Sequence, residues 1–369
     1  MQPGSGATPA RRRSSTASSR RWTPRASWRG VVMPEVDAVH TRHLISVRDL
    51  DVATITSIFE AATALGAMAP EDRSRILRGR LLTVLFFQPS TRTRIGFESA
   101  GLKLGATVSG FSDPSTTRSV DYIGESLEDT IRVIAELGDM IVLRHFVSGA
   151  ARHAAAVSSV PVINGGDGTN EHPTQALSDA WTMANRLGSV EGAVVGIVGD
   201  PGTRVHRSLI QILALLGVAK ILLLVPPSAP LRIGGSMGIT HCTVPADIVA
   251  TLKAAKVPYE FCSDVRDMLA EADAIEMMPV SIPGLESDPR SLSKGENVTP
   301  EQYRVTAQKI RATGSRALIM HPGPRSDEMH PDVDDLPNGL FFDQVRDSLQ
   351  MRMAALTYVC GAGPYSRPS

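Results

Sequence analysis

The chain is poor in cysteine. Its 369 residues hold three, Cys242, Cys262 and Cys360, scattered and odd in number. A disulfide framework is thereby excluded, no pair has zinc-ligand spacing, and a reducing compartment, the cytoplasm, is expected. An excess of charge of either sign is also missing, since 38 Lys and Arg balance 38 Asp and Glu. That removes any global reason to expect nucleic acid or a membrane surface as partner. No apolar run approaches the roughly 18 residues a bilayer span requires. There is no Ser-His-Asp order, no P-loop and no GxGxxG; the glycine-rich Gly165-Gly166-Asp167-Gly168 fits none of them. No internal repeat is visible beyond a coarse likeness of the two halves.

Residues 1–40 lack acids until Glu35 and are rich in Arg, Ser and Pro. Such a stretch buries too little apolar surface to fold, and disorder is expected. A transit peptide has the same composition, and a start codon assigned too early, with Met33 as the first residue, accounts for it equally. The rest of the chain reads differently. Short apolar runs at 81–87, 106–111, 139–145, 160–166, 193–200, 220–227, 259–262, 274–278 and 317–323 read as buried strands. Stretches of helical period lie at 93–104, 126–137, 174–187, 208–216 and 344–359. Strands alternating with helices predict parallel sheets covered on both faces. The expected fold is α/β, with two doubly wound parallel-sheet domains joined by interdomain helices. The first domain is expected over 41–182 and the second over 183–340, with a last helix at 341–360 packing back on the first.

Ligands of open α/β sheets bind beyond the carboxyl ends of the strands, and those ends are unusually polar here. After the first strand come Ser90, Thr91, Arg92 and Thr93, at the start of a helix. Free N–H groups, the positive helix end, hydroxyls and a guanidinium fork make an anion site. Helix capping alone needs one hydroxyl, and three stand here. Arg144 tips the third strand. The fourth runs into glycines that admit close backbone approach, then His172 and Gln175, donors suited to polarising a carbonyl. Arg204 follows the fifth strand. The last strand ends in His321-Pro322-Gly323-Pro324-Arg325, a rigid turn with carbonyls expected to be free for an amine or amide NH₂.

The motifs PSTRTR (89–94), RH…GAAR, GDGTNEHPTQ (166–175), GD…R…S and HPGPR (321–325) occur in this order. Together they resemble the aspartate/ornithine carbamoyltransferase family over residues 41–360, and its aspartate branch in particular: the late motif lacks the cysteine typical of the ornithine branch. The resemblance implies carbamoyl phosphate and an amine acceptor as substrates, a homotrimer with active sites at subunit interfaces, and no metal or organic cofactor. It implies that Ser90, Thr91, Arg92, Thr93 and Arg144 hold the phosphate, and that His172, with Thr93 and Arg144, polarises the carbamoyl carbonyl. Gln175 and the backbone at Pro322 and Gly323 would orient the carbamoyl NH₂. Arg204 would hold an acceptor anion.

Three departures stand out against that pattern. Where aspartate-type enzymes carry Arg-x-Gln to grip the acceptor carboxylates, this chain has Pro279-Val280-Ser281. A charged hydrogen bond contributes about 1.5–3 kcal/mol, so the clamp is worth tenfold to a few hundredfold. Ser281 remains as an acceptor-site candidate, with Arg290 or Lys294 to replace the charge. In the loop that the family lends to a neighbouring subunit, Tyr122-Ile123 precede Gly124-Glu125 in place of a lysine, leaving Ser119 and Arg118 as its candidates. Gln88 stands where the family often has a glutamate that salt-bridges the domains, so closure is expected to differ. The donor half thus reads as intact and the acceptor half as rebuilt. The expectation is carbamoyl transfer to an amine other than aspartate. Aspartate carbamoyl transfer with a divergent clamp, and a non-catalytic structural homologue, are the alternatives.

Overall fold

The structure, a computed structural model, describes residues 42–117, 124–226, 231–233, 236–238, 244–280 and 299–362. Strands β1 (Leu81–Phe86), β2 (Thr107–Phe111), β3 (Met140–His145) and β4 (Val162–Asp167) form a parallel sheet in the order β2-β1-β3-β4. The second half of the chain supplies β5 (Val194–Val198) and β6 (Lys220–Leu224), then a small antiparallel pair, β7 (Leu231–Ile233) and β8 (Ser236–Gly238). It continues with β9 (Tyr259–Phe261), β10 (Ala274–Met277) and β11 (Leu318–Met320). Apart from the small pair these form a second parallel sheet, ordered β11-β10-β5-β6-β9. In both sheets the order reverses direction from a central strand, so both are doubly wound, as the apolar runs predict.

Strands β3, β4 and β10 are buried at every position, which explains their lack of polar alternation. Most strand limits fall within three residues inside the expected ones or coincide with them, and β4 runs one residue past, to Asp167. Gly199 (φ +116°) turns the chain after β5, and Pro322 has no N–H to continue β11. The β7–β8 pair carries no signal, because three-residue strands show no period.

Helices cover both sheets: α1 (Val52–Ala67), α2 (Pro70–Arg73), α3 (Thr91–Lys103), α4 (Leu127–Leu137), α5 (Ala150–Val157) and α6 (Pro173–Leu187) in the first half. They continue with α7 (Arg204–Leu215), α8 (Ala246–Ala255), α9 (Val265–Glu271), α10 (Ala307–Thr313) and α11 (Phe341–Cys360). Helix α7 begins before the expected 208 because Thr203 caps it, its hydroxyl accepting from His206 N–H; the first turn carries no apolar period to reveal it. The long α11 packs on α1, α3 and α6, and α6 also packs on α7. Helix α6 is buried from Pro173 to Met183 although it carries Thr174, Gln175, Ser178, Asp179 and Thr182. A buried helix is normally apolar all round, so these polar groups need partners inside the protein. No helix among the described residues is long and apolar enough to cross a membrane.

Candidate active site

The carboxyl ends of six strands open on one cleft of about 590 Å³. Ser90 to Thr93 follow β1, Arg144 ends β3, Gly168 to Gln175 follow β4, Thr203 and Arg204 follow β5, Met278 follows β10, and Pro322 to Pro324 follow β11. Helices α3, α6 and α7 all begin there, so three positive helix ends face the same space. Some helices carry a side-chain cap, Asp51 on Thr54, Ser126 on Asp129, Thr306 on Lys309 and, at the cleft, Thr203 on His206, while α2, α5, α8 and α11 have none. At α3 and α6 the capping positions are Ser90 and His172, and neither side chain makes a capping bond. Helix capping therefore does not account for the hydroxyls of 90–93; they and the first-turn N–H groups are left for a ligand.

Three guanidiniums meet in the cleft. Arg144 is buried, donates from Nη1 to the Gly165 carbonyl at 2.9 Å and leaves its buried Nε without a partner. Burial, and then the nearby Arg204, lower its pKa to about 9. Arg92 donates from Nε to the Pro322 carbonyl at 3.1 Å, and burial lowers its pKa as well. Arg204 donates from Nη1 to Gln88 Oε1 at 2.9 Å and to the Gly168 carbonyl at 2.7 Å. Among the described residues none of the three has a carboxylate within ion-pairing distance, though each touches carbonyl oxygen. A cation held out of water without a counter-charge is costly, most of all for the buried Arg144, and an anion in the cleft would offset that cost.

His172 is buried, and burial, then Arg144, Arg204 and Arg352, hold its pKa well below the usual imidazole range. The ring is neutral at pH 7. Its Nε2 lies 3.4 Å from Thr93 Oγ1 and its Nδ1 3.4 Å from Thr174 Oγ1. A Thr174 hydroxyl donating to Nδ1 leaves the proton on Nε2, the side of Thr93. The main chain at His172 is held by its N–H donating to Ser208 Oγ at 3.0 Å, and that hydroxyl lies 3.3 Å from Glu171 Oε2. Glu171 also accepts from the Val47 N–H at 2.8 Å, so the loop before α6 is tied to both halves of the chain.

Two glycines are required where the cleft is tightest. Gly166 has φ +110°, and a Cβ there would lie 2.6 Å from Arg144 Nη1 and 3.2 Å from His172 Cδ2. At Gly323 (φ +71°) a Cβ would lie 2.7 Å from Arg92 Cζ. A strained backbone costs about 1–3 kcal/mol. Gly166→Ala is therefore expected to weaken inorganic phosphate binding about tenfold or more, read by calorimetric titration; unchanged affinity would mean that Arg144 does not reach the anion.

The structure thus brings together Ser90, Thr91, Arg92, Thr93, Arg144, His172, Gln175, Arg204, Pro322 and Gly323 in one cleft. Ser281, Arg118 and Ser119, with Arg290 and Lys294, lie outside the described residues. Two expectations are modified. The Pro322 carbonyl is not free, since Arg92 donates to it, leaving one lone pair. Gln88 does join the two halves, its neutral amide oxygen accepting from Arg204 where the family pattern has an ion pair. Sequence reading missed Thr169, Thr203, Val205 and Met278 on the cleft wall. It also missed the buried polar group behind it: Asp179, Glu276, Gln344 and Arg352. An acid one turn beyond Gln175 on an otherwise buried helix was the available signal. Among the described residues no group of three or more His, Cys, Asp and Glu side chains is placed to hold a metal ion.

Two doubly wound sheets whose strand ends share a cationic cleft with a neutral histidine define an α/β enzyme fold with a site suited to an anion. The chain belongs to the aspartate/ornithine carbamoyltransferase family, which are transferases. Residues 42–185 match that family's carbamoyl-P binding domain and residues 191–359 its Asp/Orn binding domain. An aspartate carbamoyltransferase catalytic subunit from Thermococcus gammatolerans is 38% identical over 324 residues, covering 87% of this chain and 98% of the relative. A chloroplastic aspartate carbamoyltransferase from Pisum sativum is 35% identical over 85% of this chain and 77% of its own length. Among solved structures, the catalytic subunit of M. jannaschii aspartate transcarbamoylase superposes with a TM-score of 0.72 at 34% identity, covering 86% of this chain and 97% of that one. The Trypanosoma cruzi aspartate transcarbamoylase in complex with carbamoyl phosphate and aspartate gives 0.71 at 27% identity, covering 86% and 94%.

Proposed function

We propose that the protein transfers the carbamoyl group of carbamoyl phosphate to the amino group of aspartate, releasing phosphate. The observation that carries this reading is the set of three cleft arginines that have no counter-ion among the described residues, beside two helix ends without a side-chain cap and a neutral imidazole. Such a site favours a phosphate dianion attached to a carbonyl. The relatives' names and the T. cruzi complex support aspartate as acceptor.

In this mechanism Ser90, Thr91, Arg92, Thr93 and Arg144 hold the phosphate. The neutral His172, with Thr93 and Arg144, polarises the carbonyl oxygen, and Gln175 with the backbone at Pro322 and Gly323 orients the NH₂. The uncharged amine attacks the carbonyl carbon through its lone pair. A C–N bond forms, the C–O bond to phosphate breaks with its electrons going to phosphate, and the proton lost by the amine passes to the leaving phosphate. Preorganised donors contribute about 2.7–4 kcal/mol each and orientation roughly 7–11 kcal/mol. Arg204 takes an acceptor carboxylate by releasing Gln88 or Gly168. Residues 41–182 serve as the donor-binding domain and 183–340 as the acceptor-binding domain. A homotrimer, with Ser119 and Arg118 lent to a neighbouring site, belongs to the same proposal.

A second reading, transfer to a different amine, is favoured by one observation: exposed Pro279 follows β10 where the family pattern has an arginine. Phosphate release from carbamoyl phosphate, measured with a panel of amines including aspartate and ornithine, separates the two. Release with millimolar aspartate at a rate above every other amine is the expected outcome. Release with another amine and none with aspartate would establish the second reading and assign Pro279 to altered specificity.

A further inference from the structure

An amide side chain has a donor end and an acceptor end, and the end facing a ligand decides what is bound. Behind Gln175 a chain of hydrogen bonds removes the choice. It begins at a backbone group whose sense cannot reverse: the His321 N–H donates to Gln344 Oε1 at 2.8 Å. With its oxygen so used, Gln344 presents its NH₂ to two acids, 2.6 Å from Asp179 Oδ1 and 3.1 Å from Glu276 Oε1. Asp179 Oδ1 must therefore accept. Gln175 Nε2, 2.7 Å from the same oxygen, donates to it while that oxygen carries no proton. Gln175 Oε1 then has no protein partner among the described residues and is the end left for the cleft. Asp179 and Glu276 are fully buried and Gln344 is 2% exposed, so bulk water cannot stand in for any link. The other charged group facing Asp179 is Arg352, buried on α11.

We propose that Asp179 and Gln344 are positioning residues that hold Gln175 with its carbonyl oxygen toward the cleft, so that the site selects a phosphorylated donor bearing NH₂ on its carbonyl over one bearing an alkyl group. The inference rests on the carbamoyl phosphate reading of the cleft. A carbamoyl NH₂ donates to Gln175 Oε1; a methyl in its place leaves that acceptor unpaired, and sites built around a hydrogen bond reject analogues lacking it. A reversed amide would set NH₂ against NH₂ and penalise the carbamoyl donor alone.

The test is calorimetric titration of the full chain with carbamoyl phosphate, acetyl phosphate and inorganic phosphate, in wild type and in Asp179→Leu, Gln344→Met and Asp179→Asn. Wild type is expected to prefer carbamoyl over acetyl phosphate. Asp179→Leu and Gln344→Met are expected to shrink that preference about tenfold or more, with the affinities for acetyl phosphate and phosphate held within about threefold. Asp179→Asn, which keeps an acceptor oxygen, is expected to retain the preference. A purely structural role would weaken all three ligands together, and that result overturns the inference. So does a folded Leu or Met variant that keeps the preference. If neither folds, Asp179→Asn decides: loss of the preference there means that charge, not acceptor geometry, was at work. Absence of carbamoyl phosphate binding in wild type would remove the donor-site reading itself, and this inference with it.

Discussion

Replacing Arg92 with alanine is expected to lower kcat/KM for carbamoyl transfer by about 10³–10⁴-fold, the largest effect of any single substitution in the cleft. Arg92 is the second residue of α3 and enters the cleft past Gly323, whose missing Cβ makes room for the guanidinium. Among the described residues only Nε is engaged, by the Pro322 carbonyl, which leaves both Nη groups to meet a phosphate as a fork. One well-placed donor contributes about 10²–10³-fold to turnover, and the fork supplies two together with a charge. As leaving phosphate gains negative charge, the interaction strengthens in the transition state, so kcat should fall more than KM rises. Arg92→Lys keeps the charge and loses the planar fork, and is expected to recover only part of the loss. Steady-state kinetics on both variants check this. Equal rates for wild type and Arg92→Ala would place the leaving phosphate elsewhere.

Replacing His172 with alanine is expected to cut kcat about 10²–10³-fold with little change in fold. In the proposed mechanism the side chain donates to the developing oxyanion as a neutral imidazole. Burial and the three neighbouring arginines keep it uncharged, well below its usual range. Two measurements follow from that state. The variant's kcat should fall, as read by phosphate release. The wild-type pH–rate profile should show no limb near pH 6.5 that disappears in His172→Ala, because the group does not take up a proton there. Phosphate affinity should change little, since the proposed mechanism assigns the ring to the carbonyl and not to the phosphate oxygens. An unchanged kcat in the variant would remove His172 from the mechanism.

Both substitutions concern residues visible in the sequence, and the reason is local. Ser90 to Thr93, Arg144, His172, Gln175, Arg204 and Pro322 all sit where an apolar run stops, and such a run betrays a buried strand by composition alone. What those residues do with their hydrogen bonds was less legible. The Pro322 carbonyl looked free in a rigid turn, yet it meets Arg92 from the other half of the chain. Gln88 looked like a broken interdomain ion pair, yet it holds Arg204 as a neutral acceptor. The carboxylate clamp, missing at Pro279, pointed away from aspartate, whereas the relatives over nearly the whole fold favour it.

By itself the sequence determined the strand and helix alternation, the α/β class and the placing of donors at strand ends. Each of these is written within one element: apolar composition, period and turn chemistry need no distant partner. Only the tertiary structure decided which ends share a cleft, that three arginines stand there with no counter-ion among the described residues, and that Asp179, Glu276 and Gln344 form one buried group. Gln344 reaches Glu276 across 68 positions of chain and Asp179 across 165. No local pattern carries such a pairing, because the burial that raises the pKa values of these acids, and the amide geometry that satisfies them, exist only once α6, α11 and the second sheet have packed.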